Sequence, residues 1–322
     1  MRLLYYARGG GHGHVLRGLA LLRRLGHGTL LGPARLAHWA AALDVDYVAA
    51  PDACDATWIG KLPAPGMLLV DVFPRGVVGE LAPLLGRTSA WLISRWVSPD
   101  YYCHPPVRAA ITSAYERLVW TEPPPAALRS LPIPQLEIEP VLLGSAALGR
   151  EEARRALGLA TGERLLLGIG SGDVDHQMRL CRLLGKVADR VGVELRFVSA
   201  ELPPSPPVVR LFPAARVLAA ADVVVTAGGY HAFHETRRIG APTVFIPQRR
   251  RYDDQWQRVL GRVVATDPVE LECCVRRLLT EQVQAAAVAP RAVADGATAL
   301  ARLVERRVQQ GVLAEEEIAA LA

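Results

Sequence analysis

Short apolar runs alternate with longer amphipathic stretches along the whole chain. In the first half the apolar runs fall near 2–6, 28–31, 45–49, 67–72, 88–94 and 117–121, and each reads as a strand. Helical segments lie between them, clearest at 15–25, 34–43, 76–85 and 106–116. Residues 132–147, PIPQLEIEPVLLGSAA, interrupt the alternation with prolines and one short extended piece. It resumes with a helix over 150–157 and strands near 164–169, 193–198, 208–212, 222–226 and 243–247; a helix over 298–321 closes the chain. The prolines of 203–207, PPSPP, make a stiff surface loop in this half. Strand and helix in alternation predict parallel α/β sheets. The expected architecture is two Rossmann-like domains, 1–146 and 147–322, facing each other across a cleft, with the terminal helix crossing back to the first.

In such sheets ligands sit beyond the carboxyl ends of the strands. The richest of these ends is 226–255, TAGGYHAFHETRRIGAPTVFIPQRRRYDDQ. The run Ala221–Val225 reads as a buried parallel strand that breaks at Gly228 and Gly229. A helix over Tyr230–Ile239 follows. Glycines at a strand-to-helix turn let the backbone approach a ligand and aim N–H groups at it, and the helix start adds roughly half a positive charge. A second apolar run, Thr243–Ile246, leads into a loop whose Asp253, Asp254 and Gln255 suit sugar hydroxyls. A phosphate cradle followed by a hydroxyl-reading loop is what a nucleotide-sugar site needs. The same pattern also occurs as a plain tight turn.

Other strand ends add candidates. The first strand runs into Arg8-Gly9-Gly10-Gly11-His12-Gly13-His14. Gly11 and Gly13 free the backbone for ligand contact, and His14, at the start of a helix and exposed to a cleft, can take a proton from a hydroxyl. The GxGxxG spacing of a dinucleotide site is only loosely met, and Thr29-Leu30-Leu31-Gly32 stands where its acidic residue belongs, which disfavours a nicotinamide enzyme. Asp71 is placed to orient a catalytic histidine. Tyr101 and Tyr102 offer aromatic surface nearby, whereas Trp91, inside a strand, reads as core. In the second half, Gly170-Ser171-Gly172 makes another anion-friendly turn, with the Ser171 hydroxyl as a phosphate contact. Asp44-Val45-Asp46 and Asp173-Val174-Asp175 are DxD triplets of the kind that hold a divalent ion on a diphosphate. Both read as structural, so no metal is expected.

Composition narrows the class. The 322 residues suit two domains, and 51% hydrophobic with 21% charged residues describes a globular enzyme. A net charge of +5 could serve nucleic acid, but the positive charge is scattered; Arg249-Arg250-Arg251, the one tight cluster, lies in the candidate ligand loop. Nucleic acid is not expected as a partner. Five cysteines without CxxC or metal-ligand spacing fit the reduced thiols of a cytoplasm. The start, MRLLYYARGG, has too short an apolar run for a signal peptide, and no run approaches the ~20 residues that span a bilayer, which leaves room only for peripheral membrane contact.

Taken together, GGGHGHVLRGLAL and GGYHAFHETRRIGAPTVFIP with the following DDQ resemble the GT-B glycosyltransferases. The likeness is to the family 28-like branch, which includes the N-acetylglucosaminyltransferase forming lipid II. The resemblance implies metal-independent, inverting sugar transfer from a nucleotide diphosphate donor, favoured as a UDP-sugar, with no cofactor and an unidentified hydroxyl acceptor. It places Gly228, Gly229 and His231 at the donor diphosphate with Tyr230 also in the donor site, Glu235 on the ribose, and Asp254 and Gln255 on the sugar. Ser171 falls on phosphate and His14 near the acceptor. Ala227 and His231 depart from the plant-type signature, which has His and Asn there. GHVLRGLAL also resembles the GHxxR loop of the UDP-sugar hydrolase of pseudaminic acid synthesis, which shares this fold and uses water as acceptor; the DDQ loop favours transfer.

Overall fold

The computed structural model describes residues 2–144, 147–160, 162–172, 174–284 and 295–310, apart from the side chains of 282–284 and 310. Twelve strands among them are β1 (Leu3–Tyr6), β2 (Thr29–Pro33), β3 (Asp46–Ala50), β4 (Met67–Asp71), β5 (Ser89–Ser94), β6 (Arg117–Trp120), β7 (Gln135–Glu137), β8 (Leu165–Ile169), β9 (Glu194–Ser199), β10 (Val208–Arg210), β11 (Val223–Thr226) and β12 (Thr243–Phe245). The α-helices are α1 (Gly13–Leu25), α2 (Ala37–Ala42), α3 (Ala56–Gly60), α4 (Pro99–Cys103), α5 (Pro105–Ala114), α6 (Arg150–Ala156), α7 (Val174–Val191), α8 (Tyr230–Ile239), α9 (Gln255–Arg258), α10 (Pro268–Gln284) and α11 (Gly296–Gln310). No helix among the described residues is long and apolar enough to cross a membrane.

Two compact units divide the chain. The first comprises 1–143, the short segment 251–253 and 294–322; the second comprises 144–250 and 254–293. α11, the terminal helix expected to cross back to the first domain, lies in the first unit, whereas the 146/147 division alone leaves it with the second. The cause is local. Arg24 of α1 pairs with Asp295 at 2.7 Å, and Arg307 of α11 grips Glu116 through two hydrogen bonds of 3.0 Å. A Cβ on Gly296 would overlap the carbonyl of Glu139, so only glycine lets the start of α11 pack there. The continuation of the helix expected to 321 lies outside the described residues.

In the first unit seven parallel strands run in the order β3-β2-β1-β4-β5-β6-β7. The short extended piece expected within 132–147 is β7, whose three residues complete the sheet edge instead of serving as a linker. β1 and β4 lie side by side, Tyr6 opposite Val70, and their residues are buried on both faces. Helix α1 covers β1 and β2 with Val15, Leu19 and Leu22 and ends at Gly26, φ +70, in the left-handed region that glycine tolerates. Trp91 is core as expected, but Tyr102, expected at the surface, is fully buried; its hydroxyl meets Ser94 and the carbonyl of Val72. The helix expected over 76–85 does not form. Gly76 and Gly79 take φ of +81 and +93, and Glu80 turns inward to accept from Tyr6, Arg8 and the Val78 backbone.

The second unit has five parallel strands in the order β10-β9-β8-β11-β12. α7 and α10 pack Leu180, Leu184, Leu271 and Val275 on one face, and α6 with the 214–220 segment packs Ala153, Val217 and Leu218 on the other. Apolar surface buried on both faces of β8 and β11 stabilises the sheet by roughly 1.5–3 kcal/mol per large side chain. The strand expected over 208–212 is trimmed to Val208–Arg210.

Candidate functional site

Strand order reverses in each sheet at one place, between β1 and β4 in the first unit and between β8 and β11 in the second. Neighbouring strands there send their connections to opposite faces, which opens a crevice at their carboxyl ends. The sequence-predicted residues collect at these two places.

In the first unit, β1 leads into the loop before α1, which carries His14, and β4 ends on Asp71. Nδ1 of His14 lies 2.6 Å from Oδ1 of Asp71. Arg17, one turn further along α1, donates to the same carboxylate through Nε at 2.8 Å and Nη2 at 2.5 Å, and Tyr5 of β1 adds its hydroxyl at 2.5 Å. Asp71 is fully buried. Burial pushes its carboxyl up, but Arg17 and His14 outweigh that and hold it well below the usual carboxylate range. It is therefore ionised and accepts the Nδ1 proton of His14, which leaves Nε2 as the basic nitrogen.

The sequence suggested an exposed imidazole; instead His14 is only 5% exposed. Burial lowers its pKa more than the adjacent Asp71 raises it, so the ring is neutral at neutral pH. Two features enclose it. A Cβ on Gly9 would lie 2.5 Å from Nε2, so the loop can pass the ring only because residue 9 is glycine. On the β4 side, Phe73 sits with its ring centroid 5.2 Å away. Phe73 is aimed there by a γ-turn: its amide donates to the Asp71 carbonyl at 2.7 Å across Val72, whose φ is +65. This hand of γ-turn is rare, and a β-branched residue in it stores about 1–3 kcal/mol. Hydrogen bonds of 2.8 Å from Tyr102 to the Val72 carbonyl and from the Val72 amide to Ile93 hold it in place. Tyr101 flanks Phe73, and burial pushes its phenol up to about 12, so it is no base at neutral pH. His12 faces elsewhere, against Trp39 and Arg35. Gly11 is exposed, and Gly13 opens α1.

In the second unit, Gly228 and Gly229 follow β11, and Gly229 caps α8, whose first turn holds no acidic residue. A helix start of this kind carries the positive end of the helix dipole. A Cβ on Gly228 would come within 2.7 Å of Val259, and buried Arg258 donates to the Gly228 carbonyl at 2.9 Å. Tyr230 and His231 are buried at the helix start, and Nδ1 of His231 is 3.6 Å from Glu235. From β8, Ser171 accepts from Gln248 at 3.3 Å, and the same amide nitrogen lies 2.5 Å from His176. A Cβ on Gly170 would overlap the Gln177 amide, which also binds the Gly172 carbonyl and Ser199. Asp254 caps α9 by accepting from the Gln257 amide at 3.0 Å, and buried Gln255 accepts from the Gln248 amide at 2.9 Å. Asp253 belongs to the first unit, where it pairs with Arg95.

His14 with Asp71 thus forms one cluster; in the second unit Gly228 packs against Gln255, which holds Gln248 and through it Ser171, whereas Gly229, Tyr230 and His231 begin α8, Glu235 lies one turn further along it and Asp254 caps α9. Gly9, Gln248 and Arg258 escaped the sequence reading, and Arg17 entered it only as the arginine of the GHxxR resemblance, with no role attached. For Arg17 the signal was present, an arginine on an otherwise apolar helix face three residues after His14. Of the DxD triplets, Asp44 sits in a turn with φ +54, and Asp173 lies outside the described residues. Among the described residues no three His, Cys, Asp or Glu side chains cluster as metal ligands.

No family model matches the chain, and no curated protein matches it. Solved structures do. The glycotransferase of kitacinnamycin aligns at a TM-score of 0.62 and 19% identity, over 95% of this chain and 98% of that one. CalG4, the calicheamicin glycosyltransferase, aligns at 0.59 and 16%, over 97% and 100%. The spinosyn rhamnosyltransferase SpnG complexed with thymidine diphosphate aligns at 0.57 and 17%, over 95% and 100%. The fold is GT-B, along nearly the full length of the chain.

Proposed function

We propose that the protein transfers a sugar from a nucleoside diphosphate sugar to the hydroxyl of a small-molecule acceptor. The observation that carries this reading is the His14–Asp71 contact at the switch point of the first sheet, with a neutral imidazole whose Nε2 is the basic nitrogen. In this reading the acceptor hydroxyl gives its proton to Nε2 as its oxygen attacks the anomeric carbon. The bond from that carbon to the diphosphate breaks on the opposite side, and the nucleoside diphosphate leaves. One base and one direct displacement give inversion. The second unit supplies the donor site. The N–H groups at the start of α8, with Ser171, His231 and Gly229, receive the diphosphate and meet its departing charge without calling on a metal. Glu235 receives the ribose.

The glycosyltransferase neighbours support transfer, and the compounds they are named for or bound to, calicheamicin and spinosyn aglycone among them, favour a small-molecule acceptor over the lipid-linked one of the family 28-like branch. The donor base is uracil or thymine, the first from the sequence resemblance and the second because a relative in fold was solved with thymidine diphosphate. Titration calorimetry with UDP, TDP and their sugars tests the proposal. Binding of at least one, with sugar transfer that depends on added acceptor, is the expected result. Absence of binding to every nucleoside diphosphate overturns it, and free sugar released at full rate without acceptor makes the protein a hydrolase instead.

A further inference from the structure

Asp71 carries more donors than a partner for one histidine requires. Its Oδ1 takes His14 at 2.6 Å and Arg17 at 2.5 Å; its Oδ2 takes Arg17 at 2.8 Å and Tyr5 at 2.5 Å. Those four bonds fill the roughly four lone-pair positions of a carboxylate. Arg17 is 1% exposed, and a buried guanidinium is costly unless paired, so this contact is built rather than incidental. We propose that Arg17 is a positioning residue for His14: its two-pronged hold aims Asp71 at Nδ1 and keeps the pair from resting as a closed imidazolium–carboxylate ion pair. The inference rests on the reading of His14 as the base.

The charge balance explains the second half of that role. A histidine alone with a buried carboxylate gains a strong reason to be protonated, and an imidazolium cannot accept a proton from a hydroxyl. The charged groups around His14 are Asp71 on β4, Arg17 on its own helix, and Arg95 just beyond β5; Tyr5 on β1 bonds the carboxylate, and Phe73 presents an apolar ring. Arg17 cancels the charge of Asp71, and Arg95, itself paired with Asp253, acts on the ring in the same direction as Arg17. A proton placed on Nε2 therefore raises the charge of a buried site. The resting ring stays neutral, the Nδ1–Asp71 bond keeps its orientation, and a proton taken up in the reaction is readily released.

The test separates charge from aim. Arg17→Gln removes the charge but keeps donors, and Arg17→Lys keeps the charge but replaces the fork with a point donor. The imidazole of His14, one of eight histidines, is identified by the resonance lost in His14→Ala and titrated by NMR. Arg17→Gln is expected to move its midpoint to higher pH by about one to three pH units. Arg17→Lys is expected to leave the midpoint in place while kcat falls roughly 10- to 100-fold at unchanged KM. A midpoint unmoved in Arg17→Gln, or wild-type kcat in folded Arg17→Lys, overturns the proposal. Should the glutamine variant fail to fold, the lysine variant decides alone. Near-normal turnover of His14→Ala would instead sink the base assignment, while the titration still reads the charge effect of Arg17.

Discussion

The ring of His14 lies where a side chain on Gly9 would have to begin: a Cβ at residue 9 would sit 2.5 Å from Nε2, the nitrogen left basic by Asp71. The backbone of Gly9 needs no left-handed conformation, so the requirement for glycine is one of space. A methyl group there must either cover Nε2 or push the ring off Asp71. Gly9→Ala should lower kcat about 100-fold and leave nucleotide affinity unchanged. The overpacking should also cost about 1–3 kcal/mol of stability, visible as a lower thermal midpoint. Wild-type turnover in this variant would mean that the ring is not used where it lies.

Removal of the base itself gives a larger effect. Proton transfer to a positioned base contributes about 10²–10⁴ in rate. His14→Ala should lose turnover in that range, and affinity for UDP or TDP should stay within a factor of about two, since a nucleotide held by the second unit has no direct bond to break. Weakened nucleotide binding with only a modest loss of turnover would make His14 a phosphate ligand instead.

Acid should act on rate and stability in the same direction. Burial lowers the pKa of His14, so the neutral base is present above its folded pKa and is lost as pH falls through it. The rising limb of kcat/KM should therefore lie below the ordinary histidine value of about 6.5. In the unfolded chain the same ring takes up its proton near that ordinary value, so the unfolded state binds more protons first. Stability falls as pH drops from about 6.5 towards the folded pKa. Asp71, also depressed, adds a loss that begins lower, near its unfolded value of about 3.9, and grows as pH falls further. Thermal midpoints of wild type and His14→Ala between pH 4 and 8 check this: the difference between them should shift in the acid range, and parallel curves would count against a buried neutral histidine.

Most strands were readable because a strand covered on both faces is apolar throughout, as Val223–Val225 and Leu165–Leu167 are. The exceptions have particular causes. β7 is three residues long and follows prolines, and the segment 76–85 has helix-like spacing that the left-handed Gly76 and Gly79 override. His14 and Asp71 could be named from their places at strand ends. The bond between them could not, because it depends on β1 and β4 being neighbours in the sheet. Nor could the roles of Gly9, Arg17 and Arg258 be read, since what matters is what stands beside them in space. In Asp254 and Gln255 the sequence shows polar groups, and only the fold shows that helix capping and loop support already engage them.

Glu235 has two candidate partners, and different measurements tell them apart. As a ribose ligand it supplies charged hydrogen bonds worth about 1.5–3 kcal/mol, so Glu235→Ala should weaken nucleotide binding roughly 10- to 150-fold. As the helix neighbour of His231, at 3.6 Å, it would act on the fold instead, and its loss would show in the thermal midpoint. Calorimetry beside a thermal melt distinguishes them. A stable variant with wild-type affinity would take Glu235 out of the donor site.

Gln255 and Asp254 make the sharpest contrast, because the two were expected to read the same sugar. The Gln255 side chain is 4% exposed in total, and its amide oxygen holds the backbone N–H of Gln248, whose own side chain reaches Ser171. Gln255→Ala leaves that N–H without its partner at a cost of about 1–3 kcal/mol. The loss should lower the thermal midpoint and weaken bare nucleotide and nucleotide-sugar alike, since the support of the Ser171 turn goes with it. Asp254 is exposed, and its Oδ1 caps α9. Asp254→Asn keeps the capping oxygen and alters the rest of the carboxylate, so it should spare stability and bare nucleotide binding while weakening the sugar-bearing donor by about 10-fold or more. Four binding measurements, each variant with nucleoside diphosphate and with its sugar conjugate, read the outcome. If Gln255→Ala harms only the conjugate, its amide touches sugar after all; if Asp254→Asn treats both ligands equally, the loop does not read sugar.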